Sequence, residues 1–317
     1  MTRAAGALIA LIALIALVVS LTLGAGAALA ADETLNWATT WQAAQAAARP
    51  AGKCILAYVY QPRQTACVAM DRTFTDDAVV KIINRFAPLA LNGTATANRD
   101  FCAKYGVGMR SNADKGLQMD FAATPAYLFL DGTGKEYYRT FGFYQAARFV
   151  EMLEHVSELV NDLSALPQRP DDALLNADLG RVYLDLERTD LGKPYLERTV
   201  KLDPENATGA RADAELNLAI ISIPDNPDLA FRQLVAYQFN NPESKRGLEI
   251  RYYMAVAELA NNHRDNAERI LLDFRSIPPN VVDGKPTNPD YTNHWTELAD
   301  LLYQQLTNPE GTKPAPK

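Results

Sequence analysis

Residues 53–60 form a continuous apolar run of strand length, the pattern of a strand buried on both faces. An alanine-rich stretch at 37–48 precedes it and reads as a helix stopped at Arg49-Pro50-Ala51-Gly52. After a short loop, Gln61-Pro62-Arg63-Gln64, a second helix starts near Cys67 and includes Met70. Thr75 or Asp76 can cap a third helix, whose apolar positions Val79, Val80, Ile83 and Phe86 repeat at helical spacing. Pro88-Leu89-Ala90-Leu91 reads as another buried strand, and 99–105 as a short helix closed by Gly106. A strand opened by Thr124-Pro125 runs to Leu130, and Asp131-Gly132-Thr133-Gly134 turns it into a partner at 136–141. Phe149, Met152, Leu153, Val156, Leu159, Val160 and Leu163 make the stripe of a closing helix.

Beyond the proline-bearing segment 166–172 the strand signals stop and the pattern becomes helical. Gly192, Leu196 and Pro204 are followed by Ala230, Leu234 and Pro242, then by Ala267, Leu271 and Pro279. Each triplet keeps the same internal spacing. A small residue that lets two helices approach, then a proline that ends the second, is the signature of a stacked helical repeat. Trp295, Leu298, Leu301, Leu302 and Leu306 form a last amphipathic helix suited to capping such a stack.

The first half resembles the thioredoxin family. The count from the first strand to Cys67 matches the second cysteine of that family's Cys-x-x-Cys, and Cys67-x-x-Met70 is followed by Phe74-x-Asp76. Tyr105-Gly106-Val107 and the Thr-Pro before the strand and Asp-Gly hairpin agree as well. The resemblance implies an α/β domain with a central mixed sheet flanked by helices, and a cis Pro125 beside the Gln64–Cys67 loop. It also implies three losses. Gln64 stands at the nucleophilic cysteine, Arg63 where tryptophan is usual, and Tyr58 where many members bury an acid. An amide cannot become the thiolate that attacks a disulfide. The segment 108–123 is longer than the family's link to the proline strand. The second half resembles tetratricopeptide repeats, with Leu179-Gly180 and Tyr183 at the family spacing ahead of Gly192. Met254-Ala255 sits in the matching place of the third copy, with Glu258 where an aromatic is usual.

Arg3, the apolar run 7–23 and Ala28-Leu29-Ala30 have the form of a cleaved secretory signal at 1–30. Its removal leaves 287 of 317 residues and, with Arg3 gone, moves the net charge from −7 to −8. That length suits two domains, and a mildly acidic chain without basic-aromatic patches gives no support for nucleic-acid binding. The three histidines lack metal-ligand spacing, and no cofactor motif is present. Three cysteines, Cys54, Cys67 and Cys102, leave at least one thiol unpaired within the chain, and spacing does not choose a pair.

These observations predict a signal peptide at 1–30, a thioredoxin-like domain at 34–162, and a linker at 163–172. An all-α, tetratricopeptide-like domain follows at 173–306, then a disordered tail at 307–317. The expected location is the periplasm or outside a bacterial cell, with no membrane span after cleavage. The expected partners are envelope proteins or peptides, bound by Arg63, Gln64, Cys67, Thr124 and Pro125 and by the helical groove, without cofactor or metal. Two alternatives stay open: a single-cysteine thiol–disulfide exchange protein using Cys67, where the helix dipole favours a thiolate, or a spacer in an envelope complex.

Overall fold

The computed structural model describes residues 34–107, 110–112, 116–118, 124–274, 281–282, 285–286 and 289–307. The expected signal at 1–30, Pro279, and the tail beyond Thr307 lie outside them. Among the described residues no helix is long and apolar enough to cross a membrane. The chain divides into two compact units between Glu154 and His155.

In the first unit, helix α1 (Trp41–Ala51) starts at Thr40, whose hydroxyl accepts from the Ala43 amide. It runs through Pro50, three residues past the expected end. Of the four residues of the stop signal Pro50 lies inside the helix, and it is Gly52, at φ 60°, that closes it. Its amide and that of Lys53 donate back to Arg49 and Ala48, the paired bonds of a Schellman cap. Strand β1 (Ile55–Tyr60) follows, then α2 (Thr65–Thr73) and α3 (Asp77–Ile83). Asp76 is the cap of α3, accepting from the Ala78 and Val79 amides, and Phe86 falls in the turn after the helix.

Strand β2 (Ala87–Asn92), a 3-10 turn at Thr96–Asn98 and α4 (Arg99–Tyr105) come next. The long link holds a small antiparallel hairpin, β3 (Arg110–Asn112) with β4 (Gly116–Gln118). Strands β5 (Ala126–Leu130) and β6 (Glu136–Phe141) then complete a mixed four-stranded sheet of order β2-β1-β5-β6. The β1–β2 pair is parallel and the other two pairs are antiparallel. Asp131 builds the β5–β6 turn, its Oδ1 accepting from the amides of Thr133 and Lys135 at 2.7 and 2.9 Å. Those bonds, led by the one from the Thr133 hydroxyl, hold its carboxyl below the usual carboxylate range against the opposing effect of burial.

The two-residue period of β1 divides the core into two layers. Ile55, Ala57 and Val59 face one layer, with Ala44, Ala48, Cys102 and Tyr105 from α1 and α4. Tyr58 faces the other, an aromatic layer with Phe74, Tyr127, Tyr144 and Phe149. Helix α5 (Ala146–Ala165) brings Phe149 into it.

The second unit contains α6 (Ala173–Asp185), α7 (Thr189–Leu202), α8 (Ala210–Ile221), α9 (Pro227–Asn240), α10 (Gly247–Ala260), α11 (Arg264–Phe274) and α12 (Pro289–Thr307). Each helix packs on its successor. The small residue and leucine of each triplet, Gly192/Leu196, Ala230/Leu234 and Ala267/Leu271, are buried. At the α6–α7 crossing a Cβ on Gly192 would stand 2.7 Å from the Gly180 carbonyl oxygen, so this approach requires glycine. Glu258, at the position where an aromatic was expected, is buried and bonds His263 and Asn266. One departure from all-helical structure is a two-stranded hairpin, β7 (Val281–Val282) with β8 (Lys285–Pro286).

Candidate functional site

Strand β1 ends at Tyr60, and the chain reverses through Arg63 before α2 begins. Arg63 takes the left-handed conformation at φ 69°, uncommon for a residue with a Cβ and a recurrent mark of functional loops. Its side chain is exposed. Gln64 is the residue preceding α2, yet its side chain makes no capping bond to the helix. The carboxamide is engaged elsewhere. Its Nε2 donates to the Thr124 carbonyl at 2.6 Å, and its Oε1 accepts from the Cys67 thiol at 2.7 Å. The Thr124–Pro125 bond is cis, as the sequence led us to expect, and both residues are buried.

Cys67 lies in the first turn of α2 with only 3 % of its surface exposed. The Gln61 amide donates to its sulfur at 3.4 Å, and the Tyr58 hydroxyl approaches its carbonyl at 3.5 Å. All five residues singled out from sequence are thus gathered at one end of the sheet. They do not form one open surface: Arg63 is exposed and Gln64 half-buried, whereas Cys67, Thr124 and Pro125 are covered.

Among the described residues no buried acid lies beneath Cys67. Burial pushes the Tyr58 phenol far above its ordinary range, and the nearby Cys67 and Asp71 add to the effect. Tyr127 is shifted the same way, again chiefly by burial. Both phenols are held neutral in this layer.

The three cysteines are all free and buried. Cys54 precedes β1 and Cys67 follows it, a separation of about 20 Å for a six-residue strand. Cys102 belongs to the opposite layer of the core from Tyr58 and Cys67. A disulfide needs Cα atoms within about 7 Å, so the arrangement does not bring Cys67 to Cys102. Burial pushes the Cys54 thiol up to about 12 and that of Cys102 in the same direction.

Three residues at this end of the sheet were not singled out from sequence. Val68 is 52 % exposed beside Cys67, and Phe141 and Phe143 are 44 % and 48 % exposed at the end of β6. Ala126 pairs with Phe141, and the Gly142 amide donates to the Pro125 carbonyl at 2.8 Å, which fixes both phenylalanines beside the proline loop. Their signal is the Phe-Gly-Phe that follows the hairpin, read together with the register against Pro125.

The four-stranded sheet, the helix-opening Cys67 and the cis Pro125 coincide with a match to a known family. Residues 41–157 match the family model of the thioredoxin-like domain. This segment is a thioredoxin-like domain. No curated protein matches the chain. In the thioredoxin-like domain of this protein, the residue preceding α2 carries an amide, the thiol of Cys67 is shielded, and Tyr58 and Tyr127 stack in the aromatic layer. The apolar side chains Val68, Phe141 and Phe143 form the accessible rim.

The second unit contains a cleft of about 480 Å³ lined by Asn206, Asp213, Tyr237, Asn241, Glu243 and Ser244 among others. The Tyr237 hydroxyl donates to Asp213 there at 3.1 Å. The lining is rich in groups that hydrogen-bond peptide backbone.

Proposed function

We propose that this protein is a non-catalytic protein-binding scaffold of the bacterial envelope, with a thioredoxin-like domain that has left dithiol chemistry and a tetratricopeptide-like domain behind it. One observation carries the reading: Gln64 occupies the start of α2, and its carboxamide is committed to Thr124 and Cys67 rather than to an incoming disulfide. The near-complete burial of Cys67 argues against single-cysteine exchange. Val68, Phe141 and Phe143 give the domain an apolar contact rim beside exposed Arg63, which suits an extended polypeptide held by side-chain burial and backbone bonds.

The repeat reading is supported by the shared phase of the three buried pairs Gly192/Leu196, Ala230/Leu234 and Ala267/Leu271. The cleft between α8 and α9, with Asn206, Asp213, Tyr237 and Asn241 in its lining, supports a binding role over a spacer. The signal-like segment 1–30 supports export, and envelope proteins or peptides are the partners that follow from it.

The test is titration of a fluorescein-labelled, reduced and carboxymethylated polypeptide, which has no disulfide to exchange. Wild type should bind it, and Val68→Ser with Phe143→Ser should weaken binding about tenfold, the loss of two partly buried apolar contacts. Absence of binding by wild type, or equal binding by the variant, would overturn the proposal.

A further inference from the structure

A carboxamide has a donor end and an acceptor end, and the Thr124 carbonyl can only accept. Gln64 must therefore turn Nε2 toward Thr124, where it donates at 2.6 Å. That leaves Oε1 facing Cys67 Sγ at 2.7 Å, so the sulfur has to be the donor and carry its proton. On its other side the sulfur accepts from the Gln61 amide at 3.4 Å. The orientation of one side chain thus decides the state of the thiol.

We infer that Gln64 is a latch: it closes the Thr124 carbonyl and holds Cys67 as a hydrogen-bond-donating thiol, and its two ends release together. A backbone N–H that takes the place of Nε2 at the Thr124 carbonyl would swing the amide away and leave Cys67 without its acceptor. Occupancy of that carbonyl and availability of the thiol are linked through Gln64, and by linkage the coupling runs in both directions. Gln64 is a positioning residue in this device. The inference stands on its two bonds and does not depend on which polypeptide the domain holds.

The S–H stretch reads the latch directly, since it falls to lower frequency when the thiol donates. The band that disappears in Cys67→Ser should lie below the free-thiol position in wild type. It should return to that position in Gln64→Met, which keeps the length of the side chain but has no amide. Alkylation of Cys67 by iodoacetamide, followed by peptide mass, should be roughly three- to tenfold faster in Gln64→Met, the range expected for losing one neutral hydrogen bond. In Cys67→Ala the side-chain amide protons of Gln64 should exchange faster with solvent, reporting the release of its other end. A Cys67 band at the free-thiol position in wild type overturns the inference, and that comparison needs no variant of Gln64. A band unmoved by Gln64→Met, or a Gln64 amide indifferent to Cys67→Ala, overturns it equally.

Discussion

Tyr58 lies almost flat against Tyr127, with ring centroids 5.5 Å apart and planes inclined by 20°. The two residues face each other across the β1–β5 pair, so strand register alone sets the stack. The Tyr127 hydroxyl is buried and finds no hydrogen-bond partner among the described residues. A buried hydroxyl that makes no bond costs the molecule its desolvation. Tyr127→Phe should therefore stabilise the protein by about 1 kcal/mol, while Tyr127→Ala, which empties the stack, should cost roughly 3–5 kcal/mol. Urea unfolding of the two variants checks both signs.

A glycine pair governs the second unit. Gly192 leaves no room for a Cβ because backbone, the Gly180 carbonyl, stands 2.7 Å from where it would be. Gly192→Ala should destabilise by about 1–3 kcal/mol, since backbone cannot swing aside as a side chain can. A melting temperature equal to wild type would show that α6 and α7 are not packed this closely.

One carboxyl of the second unit, Asp162, is shifted opposite to the usual sense for a carboxylate in a folded protein. Burial pushes the Asp162 carboxyl up to about 6, helped by Asp178 and Glu158 and opposed by Arg181 and Arg169. One of its oxygens is buried and has no hydrogen-bond partner among the described residues. A carboxyl raised in the folded state binds its proton more tightly there than when unfolded. Its contribution to stability is greatest at low pH and is lost as pH rises through about 6. Asp162→Asn should then be more stable than wild type at neutral pH, and the gain should vanish near pH ~4. Solvent screening of this half-buried group keeps the effect modest. Thermal denaturation of both proteins across that range decides it.

Much of the first unit was legible because its central strands β1 and β5 are apolar throughout and its turns carry their own chemistry. The run at Ile55–Tyr60, the Asp131 turn and the Gly106 helix end are local signals, and the structure keeps them. Pro50 misled for a local reason too, because the Gly52 cap two residues on fixes the end of α1. The site was legible in position but not in state. The chain count brought Gln64 and Cys67 to the start of a helix, yet Gln64 finds its partner sixty residues away at Thr124, and nothing nearby in sequence announces that bond. It was also silent on Phe141 and Phe143, because an alternating strand end reads the same whether its last aromatics meet the core or solvent. In the second unit, spacing revealed the phase of the triplets, whereas the β7–β8 hairpin was hidden inside a stretch whose flanks read as helix.

The central claim is that this thioredoxin-like domain has given up dithiol chemistry and kept its scaffold. Disulfide-reductase turnover tests it most directly, measured for wild type, Cys67→Ser, Gln64→Cys and the double variant. The account predicts no turnover by wild type and a gain in Gln64→Cys that disappears when Cys67 is also replaced. Turnover by wild type that is abolished in Cys67→Ser would contradict it and make Cys67 a working thiol.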